Sequence, residues 1–119
     1  ALVPSCPRAL ASSPHAILPT SGTSGIPKLA CLSWRAIEAS ALASAERLGD
    51  AAHGRWLCCL PLYHVGGLSL LWRSVVLGGP VRLLPRFDAV ALAGELARGD
   101  IAGVSLVPTM LRRLLAAWG

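Results

Sequence analysis

Apolar residues come in short runs along this chain, separated by turn-forming clusters, and the period of each run separates strand from helix. Residues 16–19 and 29–32 are apolar runs on either side of a segment rich in Thr, Ser and Gly, which predicts two strands flanking a loop. Helical spacing begins after Ser33, a suitable N-cap. Trp34, Ile37, Ala41, Ala45 and Leu48 fall on one stripe, and Gly49 is the stop. An apolar strand over 56–60, the loop PLYHVGG and a helix over 68–77 follow, then a turn at Gly78, Gly79 and Pro80 and a strand over 81–84. Asp88 is placed to cap a helix running to Arg98 and ended by Gly99. Residues 103–107 read as a strand, and Pro108 opens a last helix whose apolar face is Leu111, Leu114, Leu115 and Trp118.

Strands alternating with helices of this length predict an α/β fold, a layered and mainly parallel sheet with flanking helices. Short strands of continuous apolar character suit a sheet covered on both faces. Residues 1–16, rich in Pro, Ser and Ala, read as a loop-like lead-in, and 17–119 as part of one domain. Nothing after the final helix is left to cover the outer strands, so exposed apolar surface is expected. The chain also lacks an initiator Met, its only Met being Met110, which fits a piece of a longer polypeptide.

The composition narrows the choice. Residues of the AVILMFWYC set make up 54% and charged residues only 14%, against about 25% charged in a typical domain, which excludes intrinsic disorder. No membrane span is expected either. The uncharged stretch over 56–72 is interrupted by Pro61, His64, Gly66 and Gly67 and closed by Arg73, short of the ~20 apolar residues a span needs. The net charge is +5, but the arginines are scattered and form no basic stripe, so no specific nucleic-acid partner is expected. Cys6, Cys31, Cys58 and Cys59 show no metal-ligand spacing with each other or with His15, His53 and His64. Adjacent Cys58 and Cys59 have α-carbons ~3.8 Å apart, below the ~4.4 Å where unstrained disulfides begin. Reduced thiols and the absence of a signal-peptide pattern point to a cytoplasmic setting.

Residues 20–28 read TSGTSGIPK. Four hydroxyls, two glycines that let backbone N–H groups approach an anion, and a terminal cation are the parts of a polyphosphate cradle. A Walker loop is excluded, because Pro27 stands where its second Gly belongs and Leu29 follows the Lys. The alternative is a flexible Ser/Gly linker. Among 11 basic residues only Lys28 is Lys, and it sits at the end of this loop, where a compact charge on a flexible stem can follow a moving phosphate.

These residues carry a family resemblance. The segment is similar to the phosphate-loop signature TSGTTGxPKG of the adenylate-forming enzymes, with Ser24 in place of Thr and Leu29 in place of Gly. Trp34 stands where many members have His. LPLYHVGG, residues 60–67, resembles the loop that borders the acyl pocket. LSLLWRSVVLGGPVRLL and SLVPTMLRRLL resemble the o-succinylbenzoate–CoA ligase branch, of menaquinone biosynthesis, and the resemblance covers residues 17–118.

It implies a segment of the large N-terminal domain of such an enzyme and a two-step ligation. A carboxylate attacks the α-phosphate of ATP to give an acyl-adenylate and pyrophosphate, and the thiol of CoA then displaces AMP. Thr20, Ser21, Gly22, Thr23, Ser24, Gly25 and Lys28 are implied as donors to the phosphates, with Thr23 near the magnesium ion. His64 is implied in the catalytic site, lining the acyl or adenylate pocket and changing orientation between steps, with a packed, hydrogen-bonded His as the alternative. Gly66 and Gly67 either give the acyl group close access to backbone or form a helix-entry turn. Arg73 is expected to pair with a carboxylate inside the chain, the alternative being a carboxylate of a dicarboxylic substrate. Pro108 and Thr109 also match the family, though helix initiation accounts for them. The family's later motifs are absent here, so the chain alone is expected to be inactive and to need the rest of its polypeptide. Alternatives are a ligase for another acyl or aryl acid, a peptide-synthetase adenylation domain, and a non-catalytic interaction module.

Overall fold

The computed structural model describes residues 14–20 and 27–118. Strand β1 (Ala16–Thr20) pairs antiparallel with β2 (Lys28–Leu32) in a separate two-stranded hairpin. The remaining strands, β3 (Trp56–Cys58), β4 (Val81–Leu83) and β5 (Gly103–Val104), form a parallel sheet in the order β4-β3-β5. The helices are α1 (Trp34–Leu48), α2 (Val65–Leu77), α3 (Ala89–Ala97) and α4 (Pro108–Trp118), and a 3-10 turn at Gly49–His53 follows α1. Ala16, where the lead-in and the first apolar run were expected to meet, pairs with Leu32; residues 1–13 lie outside the described residues.

The helix ends follow the capping residues. Ser33 Oγ accepts from the Ala36 amide at 3.2 Å, and Asp88 Oδ1 accepts from the Val90 and Ala91 amides at 3.0 Å each. At Gly78, φ is 76°, the left-handed turn that ends α2 and that a side chain disfavours. The strands are shorter than the apolar runs that predicted them. Paired residues end at Cys58, Leu83 and Val104, and past β4 the Leu84 amide still donates to the Cys58 carbonyl at 2.8 Å.

Strand β3 is central and buried throughout, and alternation sends its neighbours to two cores. Leu57 and, just past the strand, Cys59 pack with Leu92 of α3 and Leu114 of α4, while Trp56 and Cys58 pack with Leu70 of α2. Both faces are therefore covered at β3, as expected. The helices bury less than their stripes suggested. In α1 only Ile37 and Ala41 are buried, and in α4 only Leu114; Leu111, Leu115 and Trp118 remain exposed. No described helix is long and apolar enough to cross a membrane.

Candidate functional site

The antiparallel register sets Thr20 opposite Lys28, and Thr20 Oγ1 donates to the Lys28 carbonyl at 3.2 Å. That bond closes the base of the loop and brings its two ends together, with both residues exposed. Ser21, Gly22, Thr23, Ser24 and Gly25 lie outside the described residues. Among the described residues no group of His, Cys, Asp and Glu could hold a metal ion.

The second cluster lies between β3 and α2. Helix α2 begins at Val65, three residues before the expected start, so Gly66 and Gly67 belong to its first turn rather than to an open loop. His64 is the N-cap but makes no side-chain capping bond; its ring is exposed and tilts against Tyr63 with centroids 4.5 Å apart. A packed, hydrogen-bonded His is thus not what stands here. A β-carbon on Gly67 would lie 2.8 Å from the Leu60 carbonyl oxygen, so this buried glycine is in close contact with the chain's own backbone. Beside this turn, at the carboxyl ends of β3 and β4, opens a crevice of about 620 Å³. Cys59, Leu60, Tyr63, Leu84, Arg86, Phe87 and Met110 are on its walls. Burial, and after it the neighbouring Cys58, pushes the Cys59 thiol above its ordinary pKa, so it stays protonated and apolar in character.

Arg73 departs from expectation. Among the described residues the ion pairs are Arg55–Asp100 and Arg82–Glu95, and Arg73 belongs to neither. Its guanidinium carbon instead lies 3.9 Å from the centroid of the Trp56 ring, a cation–π contact, and its buried Nη2 has no hydrogen-bond partner among the described residues. Nine residues beyond His64 on α2, it has no ion-pair partner among the described residues, and burial pulls its pKa below the usual arginine value. Arg73 lines a cavity of about 200 Å³ between α1 and α2, together with Ser40 and Ser44 of α1 and Val65, Ser69 and Trp72 of α2. The Ser44 and Ser69 hydroxyls donate to helix carbonyls, Ser40 and Gly66 respectively, which leaves their oxygen lone pairs and the free guanidinium N–H to a guest.

Sequence reasoning missed the serines and the crevice. Ser40 and Ser44 repeat at i and i+4 beside the Ile37–Ala41 stripe, a polar row at a helical interface. Arg86 and Phe87 follow the carboxyl end of β4, the edge at which open α/β sheets bind ligands. His15 and His53 are exposed; His15 meets Trp34 edge-on at 5.0 Å, and His53 Nδ1 lies 3.2 Å from the Leu77 carbonyl. No hydrogen bond or ring contact among the described residues joins Thr20 or Lys28 to His64, Gly66, Gly67 or Arg73.

A family model described as AMP-binding enzyme matches residues 3–118. A 2-succinylbenzoate–CoA ligase of Enterococcus faecalis is 39% identical over 102 residues, which are 86% of this chain and 21% of that protein. The chain thus spans about a fifth of the length of the curated relatives it matches. The structure of o-succinylbenzoate CoA synthetase from Bacillus subtilis with its acyl-adenylate intermediate superposes with a TM-score of 0.82 at 37% identity, covering 88% of this chain and 28% of that one. The same enzyme with ATP and magnesium ion gives a TM-score of 0.78 at 39% identity, over 84% of this chain and 21% of that one.

Proposed function

The chain belongs to the AMP-binding enzyme family, and from that premise we propose that it is part of the large N-terminal domain of an ATP-dependent acid–CoA ligase acting on o-succinylbenzoate, in menaquinone biosynthesis. The observation that carries the proposal is the closed base of the 20–28 loop, where Thr20 and Lys28 face each other across the hairpin. Two strands hold the ends of a segment with the composition of a phosphate cradle. In our reading Thr20, Ser21, Gly22, Thr23, Ser24, Gly25 and Lys28 bind the polyphosphate of ATP, and Thr23 stands near its magnesium ion. That ion would neutralise charge on the phosphates.

Adenylation moves negative charge onto departing pyrophosphate, and the ammonium of Lys28 is the mobile cation that can follow it. His64, exposed beside the crevice, lines the site where carboxylate and α-phosphate meet. Arg73 takes a second carboxylate of the acid, since its buried Nη2 offers the N–H donor that a carboxylate oxygen accepts. The thiol of CoA then displaces AMP. A cytoplasmic setting is supported by the free thiols of Cys58 and Cys59.

The test is pyrophosphate exchange into ATP, dependent on o-succinylbenzoate. The isolated chain is expected to show none. Substituted for the matching segment of the Bacillus subtilis enzyme, it is expected to support exchange, and Lys28→Ala to lower kcat on the order of 10²–10³-fold, the scale for loss of a donor aimed at developing charge. A chimera that folds without supporting exchange would sink the proposal in favour of a non-catalytic module, and exchange that ignores Lys28 would remove Lys28 from the phosphate site.

A further inference from the structure

We propose that Gly67, tied to β3 by the buried thiol of Cys58, is a positioning residue that fixes where the ring of His64 stands; the proposal rests on the reading of His64 given above. Gly67 is buried, and a β-carbon there would stand 2.8 Å from the Leu60 carbonyl oxygen and closer still to that of Pro61. The first turn of α2 therefore rests directly on the backbone of the connection from β3. Helix formation does not explain the residue, since Ala would favour the helix by about 1 kcal/mol over Gly. Contact of backbone with backbone does. At Gly66 the same construction meets only the end of the Leu60 side chain, at 3.4 Å.

The same few residues hold His64 from both sides. Cys58 Sγ lies 3.6 Å from the Leu60 carbonyl and 3.9 Å from that of Gly67, bridging the strand end and the helix start from the core. The His64 amide donates to the Pro61 carbonyl at 3.2 Å, and the Gly67 and Leu68 amides donate to the His64 carbonyl at 3.2 and 3.1 Å. The imidazole itself is exposed, and its ring contact among the described residues is with Tyr63. With no side-chain hydrogen bond to anchor it, its place is set by its backbone, and that backbone is set by how closely Gly67 approaches residues 60 and 61.

The test is a cycle of substitutions in the ligase chimera that carries this chain, reading kcat for adenylation, KM for ATP and the thermal midpoint. Gly67→Ala is expected to lower kcat on the order of 10²-fold, the scale for displacing a reacting group by about 1 Å, with KM for ATP unchanged within about twofold. In a His64→Ala background the same substitution is expected to cost less than about threefold, because it acts through the ring already removed. Gly94→Ala, in open space on α3, is the control for a helical glycine and leaves kcat unchanged. Cys58→Ala introduces no clash; it is expected to give a smaller loss of kcat that is likewise suppressed by His64→Ala, and it decides the matter if Gly67→Ala does not fold. Equal losses in both backgrounds, or no loss at all, overturn the proposal alone. Full activity of His64→Ala overturns the reading of His64 and the proposal with it.

Discussion

Among the described residues Arg73 combines three properties that seldom coincide on a structural residue: a guanidinium stacked on Trp56, a buried Nη2 without an acceptor, and no ion-pair partner. Leaving Nη2 buried without an acceptor costs stability and offsets part of what the Trp56 contact contributes, so a purely structural residue here gains little from its charge. Arg73→Met keeps the apolar stem beside Trp56 and removes the charge. We expect it to leave the thermal midpoint of the ligase unchanged or raised, while KM for o-succinylbenzoate rises about 10- to 100-fold, the equivalent of one hydrogen bond to a charged group at 1.5–3 kcal/mol. KM for ATP is expected to stay put. A variant that loses stability and keeps its acid KM would return Arg73 to the role of a core residue. The serines beside it were illegible in the sequence because Ser on a helix is ordinarily solvent-facing, and only the α1–α2 packing turns Ser40 and Ser44 toward the guanidinium's cavity.

The helices are where sequence and structure agree best, because a capping residue acts within its own turn and needs no tertiary information. Ser33, Asp88, Gly49, Gly78 and Gly99 all stand where their chemistry assigns them. Ser33→Ala is expected to destabilise the first turn of α1 by about 1 kcal/mol, measured as faster amide exchange there. Asp88 adds a pH dependence. Hydrogen bonds, first from the Ala91 amide and then from that of Val90, hold its carboxyl below the ordinary value near 3.8. A depressed folded-state pKa means that the cap's contribution is fully present above the unfolded carboxylate's pKa and is lost as pH falls through the folded one. Protection of α3 amides should therefore decline below about pH 4, and Asp88→Asn, which caps without titrating, should remove that decline. What sequence did not give was the start of α2 and the ends of the strands. Gly-Gly reads as a loop because its helix propensity is poor, and a run such as 56–60 stays apolar after the ladder ends, since residues 59 and 60 are needed by the core and by α2.

At the scale of the whole molecule, the unfinished surfaces have a definite meaning. The radius of gyration is 16.5 Å, against about 13 Å for a self-contained domain of ~100 residues. Both outer strands of the parallel sheet, β4 and β5, lack a further neighbour among the described residues, and parallel sheets are ordinarily covered. Val90 is 74% exposed, Leu115 63% and Trp118 54%, and all three lie on the helices that cover one face of that sheet. Relatives that share this segment are about five times as long, so there is polypeptide enough in such an enzyme to cover these faces. The isolated chain and the full ligase should respond oppositely to loss of this surface. In the isolated chain, Leu115→Glu with Trp118→Glu should reduce self-association, seen by light scattering, because apolar surface is removed from water-facing helices. In the full ligase the same pair should lower the thermal midpoint, each site losing about 1.5–3 kcal/mol of side-chain burial. If the ligase tolerates both substitutions, α4 faces solvent in the complete enzyme and the apolar surface belongs to an outside partner.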